Sequence, residues 1–167
     1  MNTRVLVVCL GNIFYRDDRA GLEVCKRLEE LGFKDNVVSC DMGFERCLGD
    51  IVKRDFNTLI IVDAFLPTSN DVKPGDVIII EGFEDISSSV VSSNIINTHK
   101  LPLPLVLEYL KNCGKDFYPI FIGVCIENLD ICDEEIENCE LSENVEKGVE
   151  KIVRYIVENY LNGGTSI

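Results

Sequence analysis

Apolar and polar positions alternate along this chain in two rhythms: short unbroken apolar runs, and longer stretches in which apolar residues recur at helical spacing. Arg4–Leu10, Val37–Cys40, Thr58–Val62, Asp76–Glu81 and Pro119–Ile126 are rich in valine and isoleucine and bounded by turn residues, which predicts strands, most of them buried on both faces. Between them, Asp18–Leu31 carries Gly21, Val24, Cys25, Leu28 and Leu31 on one helical face, and Phe44–Lys53 carries Cys47, Leu48, Ile51 and Val52. The same spacing recurs over Leu103–Asn112, through Val106, Leu107 and Leu110, and over Ser142–Tyr160, through Val145, Val149, Ile152, Val153 and Ile156. Alternating strands and helices predict an α/β fold with a mainly parallel, twisted sheet covered by helices on both sides. The stretch "PTSNDVKPG" at Pro67–Gly75 is turn-rich and leaves no room for a helix, so the strand after it is expected to be antiparallel or at an edge.

Length and composition narrow the picture. Residues 1–161 read as a single domain and 162–167 as a flexible polar tail, because 167 residues suit one full core rather than two small ones. Sixteen lysines and arginines stand against 29 aspartates and glutamates, a formal charge of −13. No basic stripe is present to neutralise phosphates, so nucleic acid is not an expected partner; a basic protein or a metal ion suits this surface better. Eight cysteines occur, none in a Cys-x-x-Cys pair. Cys9, Cys25, Cys40 and Cys125 lie in apolar segments and read as reduced core thiols, which places the chain in a reducing cytoplasm. Cys125, Cys132 and Cys139 recur every seven residues, but with no second histidine nearby the spacing reads as coincidence rather than a metal cluster. Val5–Leu10 is too short for a signal peptide, and no apolar run approaches a membrane span, so no membrane association is expected.

In open parallel sheets the ligand crevice lies beyond the carboxyl ends of the strands, so the residues there are the first candidates for chemistry. Strand one is followed by Asn12 and then Asp17-Asp18; strand two ends at Asp41, before Met42-Gly43; strand three runs into Asp63; the last strand ends at Glu127-Asn128. The segment after strand four reaches His99, the only histidine. Asp17 reads as the N-cap of the following helix, which leaves Asp18, about 100° around that turn, to aim at the crevice. Asp41 serves equally as a turn cap or a site residue. Asp63, closing an apolar central strand, sits in the middle of the crevice. Thr98 is placed to cap a helix whose first turn holds Pro102 and Pro104, fixing His99 at its mouth. Two carboxylates and an imidazole suit a divalent transition metal such as nickel, zinc or cobalt. No Gly-x-Ser-x-Gly elbow and no Gly-x-Gly-x-x-Gly turn occurs, so serine hydrolysis and nucleotide binding are poorly supported. A Cys–His peptidase pairing Cys40 or Cys125 with His99 is disfavoured, since strand cysteines in apolar runs are usually inert.

Taken in order, "LGNIFYRDD" with Gly21, "DMG" at Asp41, "IIVDA" at Asp63, "PGD" at Gly75, "THKL" at His99 and "GVCIENLDI" at Gly123 resemble the motifs of the nickel-iron hydrogenase maturation endopeptidases. Each motif alone is weak, but six in register span nearly the whole chain. The resemblance implies a five-stranded α/β/α sandwich. It implies an endopeptidase, aspartic-type in the family's classification, that removes a C-terminal extension from a hydrogenase large-subunit precursor. It further implies that Asp18, Asp63 and His99 match metal-contacting positions and Asp41 an acid used in substrate recognition. The nickel would be supplied by the precursor, with no tightly bound cofactor and the peptidase acting as a monomer. Two departures stand out: Cys9 and Arg19 occupy positions where the family usually has glycine. With the cysteine-rich composition, they point toward the archaeal deazaflavin-reducing hydrogenase type. The rival expectation is a non-catalytic nickel-sensing or chaperone module built on the same three residues.

Overall fold

A computed structural model describes residues 4–89, 91, 101–132 and 138–162. Five strands form one sheet: β1 (Val5–Gly11), β2 (Val37–Asp41), β3 (Thr58–Phe65), β4 (Val77–Glu81) and β5 (Tyr118–Cys125). Their order is β2-β1-β3-β5-β4, with every neighbouring pair parallel except β4 against β5. The antiparallel edge strand is the one expected after Pro67–Gly75: with no crossover helix, the chain leaves β3 and turns back as β4 at the edge of the sheet, paired with β5. Helix α1 (Ala20–Glu30) follows β1, α2 (Leu48–Lys53) follows β2, α3 (Phe83–Ser88) follows β4, α4 (Leu103–Asn112) precedes β5 and α5 (Glu143–Ile156) follows it.

Alternation along the strands feeds two cores. Leu6, Val8, Leu10, Ile61, Phe65 and Phe121 pack under α2, α3 and α4; Val7, Ile60, Val62, Ile120, Ile122 and Val124 pack under α1 and α5. The sandwich is therefore three-layered. Burying any one of the central isoleucines stabilises the fold by about 1.5–3 kcal/mol.

Several local expectations change. The apolar stretch Phe44–Lys53 is not one helix: a 3₁₀ turn at Phe44–Arg46 precedes α2, with Cys47 extended in φ at −121° between them. Helix α4 begins at Pro102, whose φ of −60° suits it to the cap position, and has no side-chain cap; the cap expected at Thr98 lies outside the described residues. The regular turns of α5 end at Ile156, and Val157–Leu161 continue as a π-helical turn. Of the tail, only Asn162 is described.

The cysteine reading is also overturned. Cys9–Cys25 joins β1 to α1, Cys40–Cys47 joins the end of β2 to the turn before α2, and Cys132–Cys139 closes the connection after β5. A strand and the helix packed on it bring cysteines to Cα separations near 6.0 Å, which is bridging distance and invisible to sequence spacing. Cys125 alone of the four remains a buried free thiol, and Cys113 is free and exposed.

Candidate active site

The two halves of the parallel sheet diverge between β1 and β3. The chain leaves β1 through α1 on one face, and reaches β3 through α2 on the other. Such a switch point opens a crevice at the carboxyl ends of the two strands. Asp18 follows β1 and Asp63 lies in β3, so the topology carries both to this crevice.

Two glycines set how closely the pieces meet. Gly21 lies in the first turn of α1, and a Cβ there would collide with the carbonyl oxygens of Leu10 in β1 and Val62 in β3. A Cβ on Gly11 would come within 2.6 Å of the Asp18 carbonyl oxygen. Helix α1 is thus pressed onto the strand ends, and the Asp18 backbone rests on the last residue of β1.

Burial separates these acids from the rest. Among the described residues, the buried polar or charged ones are Asp17, Asp18 and Asp63, at 8, 3 and 0% exposure. The Asp63 carboxylate accepts the Ala64 N–H at 2.8 Å, and strand alternation places it on the face of Ile61 and Phe65, beneath α3 and α4. Asp41 is half-buried; it stands opposite Gly11 in register and accepts the Ile13 N–H at 3.4 Å, tying the end of β2 to the loop after β1. Met42, next to it, adopts the left-handed φ of 66°, an uncommon conformation outside glycine that re-aims the chain at the crevice rim. Glu127 and Asn128 are exposed. His99 lies outside the described residues. Among the described residues no three histidine, cysteine, aspartate or glutamate side chains converge to hold a metal, so Asp18 and Asp63 form at most an incomplete oxygen-donor set without a further group.

Asp17 does not cap α1. The N-cap of that helix is Arg19, with no side-chain cap. The Asp17 carboxylate instead accepts the Ser142 N–H at Oδ1 and the Ser142 hydroxyl at Oδ2, both at 2.8 Å. Ser142 is the N-cap of α5, 125 residues away in sequence. Sequence reasoning found the helix start at Ser142 but had no signal for its partner, which only the fold brings near. Arg19 opens onto a pocket of about 410 Å³ lined also by Lys26, Glu140 and Glu146, between α1 and the start of α5. A cavity of about 700 Å³ lies elsewhere, between the far ends of α1 and α5 around Leu31, Val153 and Val157, and is lined by none of the candidate acids.

The two cysteines disfavoured as nucleophiles are unsuited to that role in the structure as well. Cys40 is bonded to Cys47, and burial, aided by Asp76, pushes the Cys125 thiol up to about 11. At neutral pH Cys125 is therefore protonated and unreactive. Around the crevice, Phe14, Met42 and Ile131 are exposed apolar side chains on the connections after β1, β2 and β5, at 48, 43 and 64% exposure.

The family model described as HycI, hydrogenase maturation protease, matches residues 22–159. The hydrogenase 2 maturation protease of Escherichia coli is 32% identical over 133 residues, 76% of each chain. A putative hydrogenase maturation protease of Methanocaldococcus jannaschii is 29% identical over 155 residues, covering 92% of this chain and 94% of the relative. Among solved structures, the [NiFe] hydrogenase maturation protease HybD from Thermococcus kodakarensis superposes with a TM-score of 0.68 at 29% identity, over 93% of this chain and 98% of the other. The hydrogenase maturating endopeptidase HybD from E. coli gives 0.68 at 26%, over 97% and 94%. A family model matching most of the chain, together with a relative 32% identical over 76% of it, means that the chain belongs to the nickel-iron hydrogenase maturation protease family.

Proposed function

We propose that this chain is an endopeptidase that removes the C-terminal extension of a nickel-loaded hydrogenase large-subunit precursor, and that Asp18, Asp63 and His99 contact the precursor's nickel. The observation that carries the reading is that, among the described residues, the buried charged side chains all lie at one end of the sheet. Holding a carboxylate away from water costs several kcal/mol, and an apolar residue would pack there without that cost. Acids kept in such places are candidates for chemistry. Of these buried acids, Asp17 is turned to Ser142, and Asp18 and Asp63 are the two that match metal-contacting positions in the resemblance.

On this reading the metal belongs to the substrate. Two carboxylates and one imidazole sample a nickel ion presented by a partner more readily than they retain one alone, since resident catalytic zinc sites usually offer more nitrogen or sulfur. Seating the nickel fixes the scissile peptide in the crevice. Water, activated at the metal or by a carboxylate, adds to the carbonyl carbon; the C–N bond breaks and the leaving amine takes up the proton. Asp41 stands at the rim, and the exposed Phe14, Met42 and Ile131 offer apolar contacts to a protein rather than to a small ion. The type of partner on this reading is the archaeal deazaflavin-reducing hydrogenase; the cytoplasm expected from reduced thiols loses that support with the three disulfides.

The test is incubation of the protein with precursor in nickel-loaded and nickel-free forms, followed by intact mass spectrometry. Loss of a C-terminal peptide from the loaded form alone is the expected result. Stable binding without cleavage would establish the nickel-sensing or chaperone role instead.

A further inference from the structure

The loop between β1 and α1 is fastened along its length to the connection between β5 and α5. The Arg16 N–H donates to the Asp130 carbonyl at 2.8 Å, the Cys132 N–H donates to the Phe14 carbonyl at 3.0 Å, and Tyr15 and Ile131 form an antiparallel bridge. Asp17 completes the series with its two bonds to Ser142. One residue later the chain reaches Asp18.

We propose that Asp17 is a positioning residue: by gripping the backbone and hydroxyl of Ser142 it locks the loop against the start of α5 and thereby sets where Asp18 stands. The inference rests on the reading of Asp18 given above. Both Asp17 oxygens are occupied by Ser142, so the group is directed at α5 and not at the crevice. Its charge is accommodated by the amino end of a 14-residue helix, where partial positive charge accumulates. The role is geometric, and a neutral amide fulfils it equally: asparagine accepts the Ser142 N–H through Oδ1 and donates from Nδ2 to the Ser142 hydroxyl. A misplacement of about 1 Å at a reacting group is enough to lower a rate by about 10²-fold.

Cleavage of nickel-loaded precursor, with kcat and KM determined separately, tests this alongside amide hydrogen exchange of residues 12–18. Asp17→Ala is expected to lower kcat by about 10²-fold with KM within about threefold of the parent. Asp17→Asn is expected to stay within about fivefold in both, and Ser142→Ala, which keeps the backbone bond, to fall between. Exchange over residues 12–18 should accelerate in Asp17→Ala and remain protected in Asp17→Asn. If Asp17→Asn is folded and as inactive as Asp17→Ala, the charge itself is required and the proposal is overturned; wild-type kcat and exchange in Asp17→Ala overturn it equally. Should Asp17→Ala fail to fold, Asp17→Asn and Ser142→Ala decide by the same criteria. If the parent protein leaves every precursor uncut, the functional reading fails, while the exchange comparison still decides whether Asp17 fastens the loop.

Discussion

At the amino end of the sheet Arg4 and Asp55 pair in the open, with 54% and 72% of their side chains exposed, whereas at the carboxyl end Asp18 and Asp63 are buried. Polar groups at the amino end do ordinary work: Asn57 accepts the Arg4 N–H at 2.9 Å and Asn36 donates to the Val5 carbonyl at 3.0 Å, closing strand ends that water would otherwise satisfy. At the carboxyl end the chain tolerates a left-handed methionine, buried carboxylates and exposed aromatic and aliphatic side chains within a few residues of one another. The same sheet thus spends its stability in one place. Charge that is replaceable where it is solvated becomes specific where it is not.

Three variants sharpen that contrast. The largest effect on stability is expected from Gly21→Ala, because the added Cβ meets backbone carbonyls of two strands rather than flexible side chains. A loss of about 3 kcal/mol, near the top of the range for overpacking, should appear as a lower urea midpoint with an unchanged slope. Next comes removal of the Cys9–Cys25 link by Cys9→Ala with Cys25→Ala. The bond closes a loop with a sequence separation of 16, for which unfolded-state entropy corresponds to about 3 kcal/mol, partly offset if the reduced chain retains structure. Thermal melting of the double variant is the check, with a fall of about 5–10 °C for a loss of 2–3 kcal/mol in a chain of this size. The smallest effect belongs to the amino end. Arg4→Ala should cost under about 1 kcal/mol and leave cleavage untouched, since its ion pair is exposed. A comparable loss of cleavage from Arg4→Ala would dissolve the distinction between the two ends.

Much of this was legible in the sequence because buried parallel strands announce themselves as unbroken runs of valine and isoleucine. The strand read at Asp76–Glu81 was expected to be antiparallel or at an edge, from the lack of room for a helix before it, and Val77–Glu81 is both. Helix α3 was not found, since Phe83–Ser88 spans too few residues for a helical period to show. Asp63 stood out because a charge after an apolar run is a local signal, although the strand expected to end at Val62 runs on through Asp63 to Phe65. Asp17 was misassigned because an aspartate before a helix has a strong local explanation, and its partner Ser142 lies on the far side of the chain. The disulfides escaped for a similar reason: cysteine in an apolar run looks the same whether bonded or free, and pairing depends on which helix packs on which strand.

The central claim is that the buried acids at the carboxyl end are kept for chemistry at the expense of stability. Asp63→Asn tests it most directly, since the amide retains the short bond from the Ala64 N–H while removing the buried charge. Cleavage of nickel-loaded precursor and thermal melting are to be measured on the same preparation. The account predicts a rate lowered by about 10³-fold or more together with a Tm equal to or above that of the parent. Cleavage at the parent's rate would show that Asp63 has no part in the reaction, and a Tm that falls along with the rate would show that it serves the fold, either of which contradicts the claim.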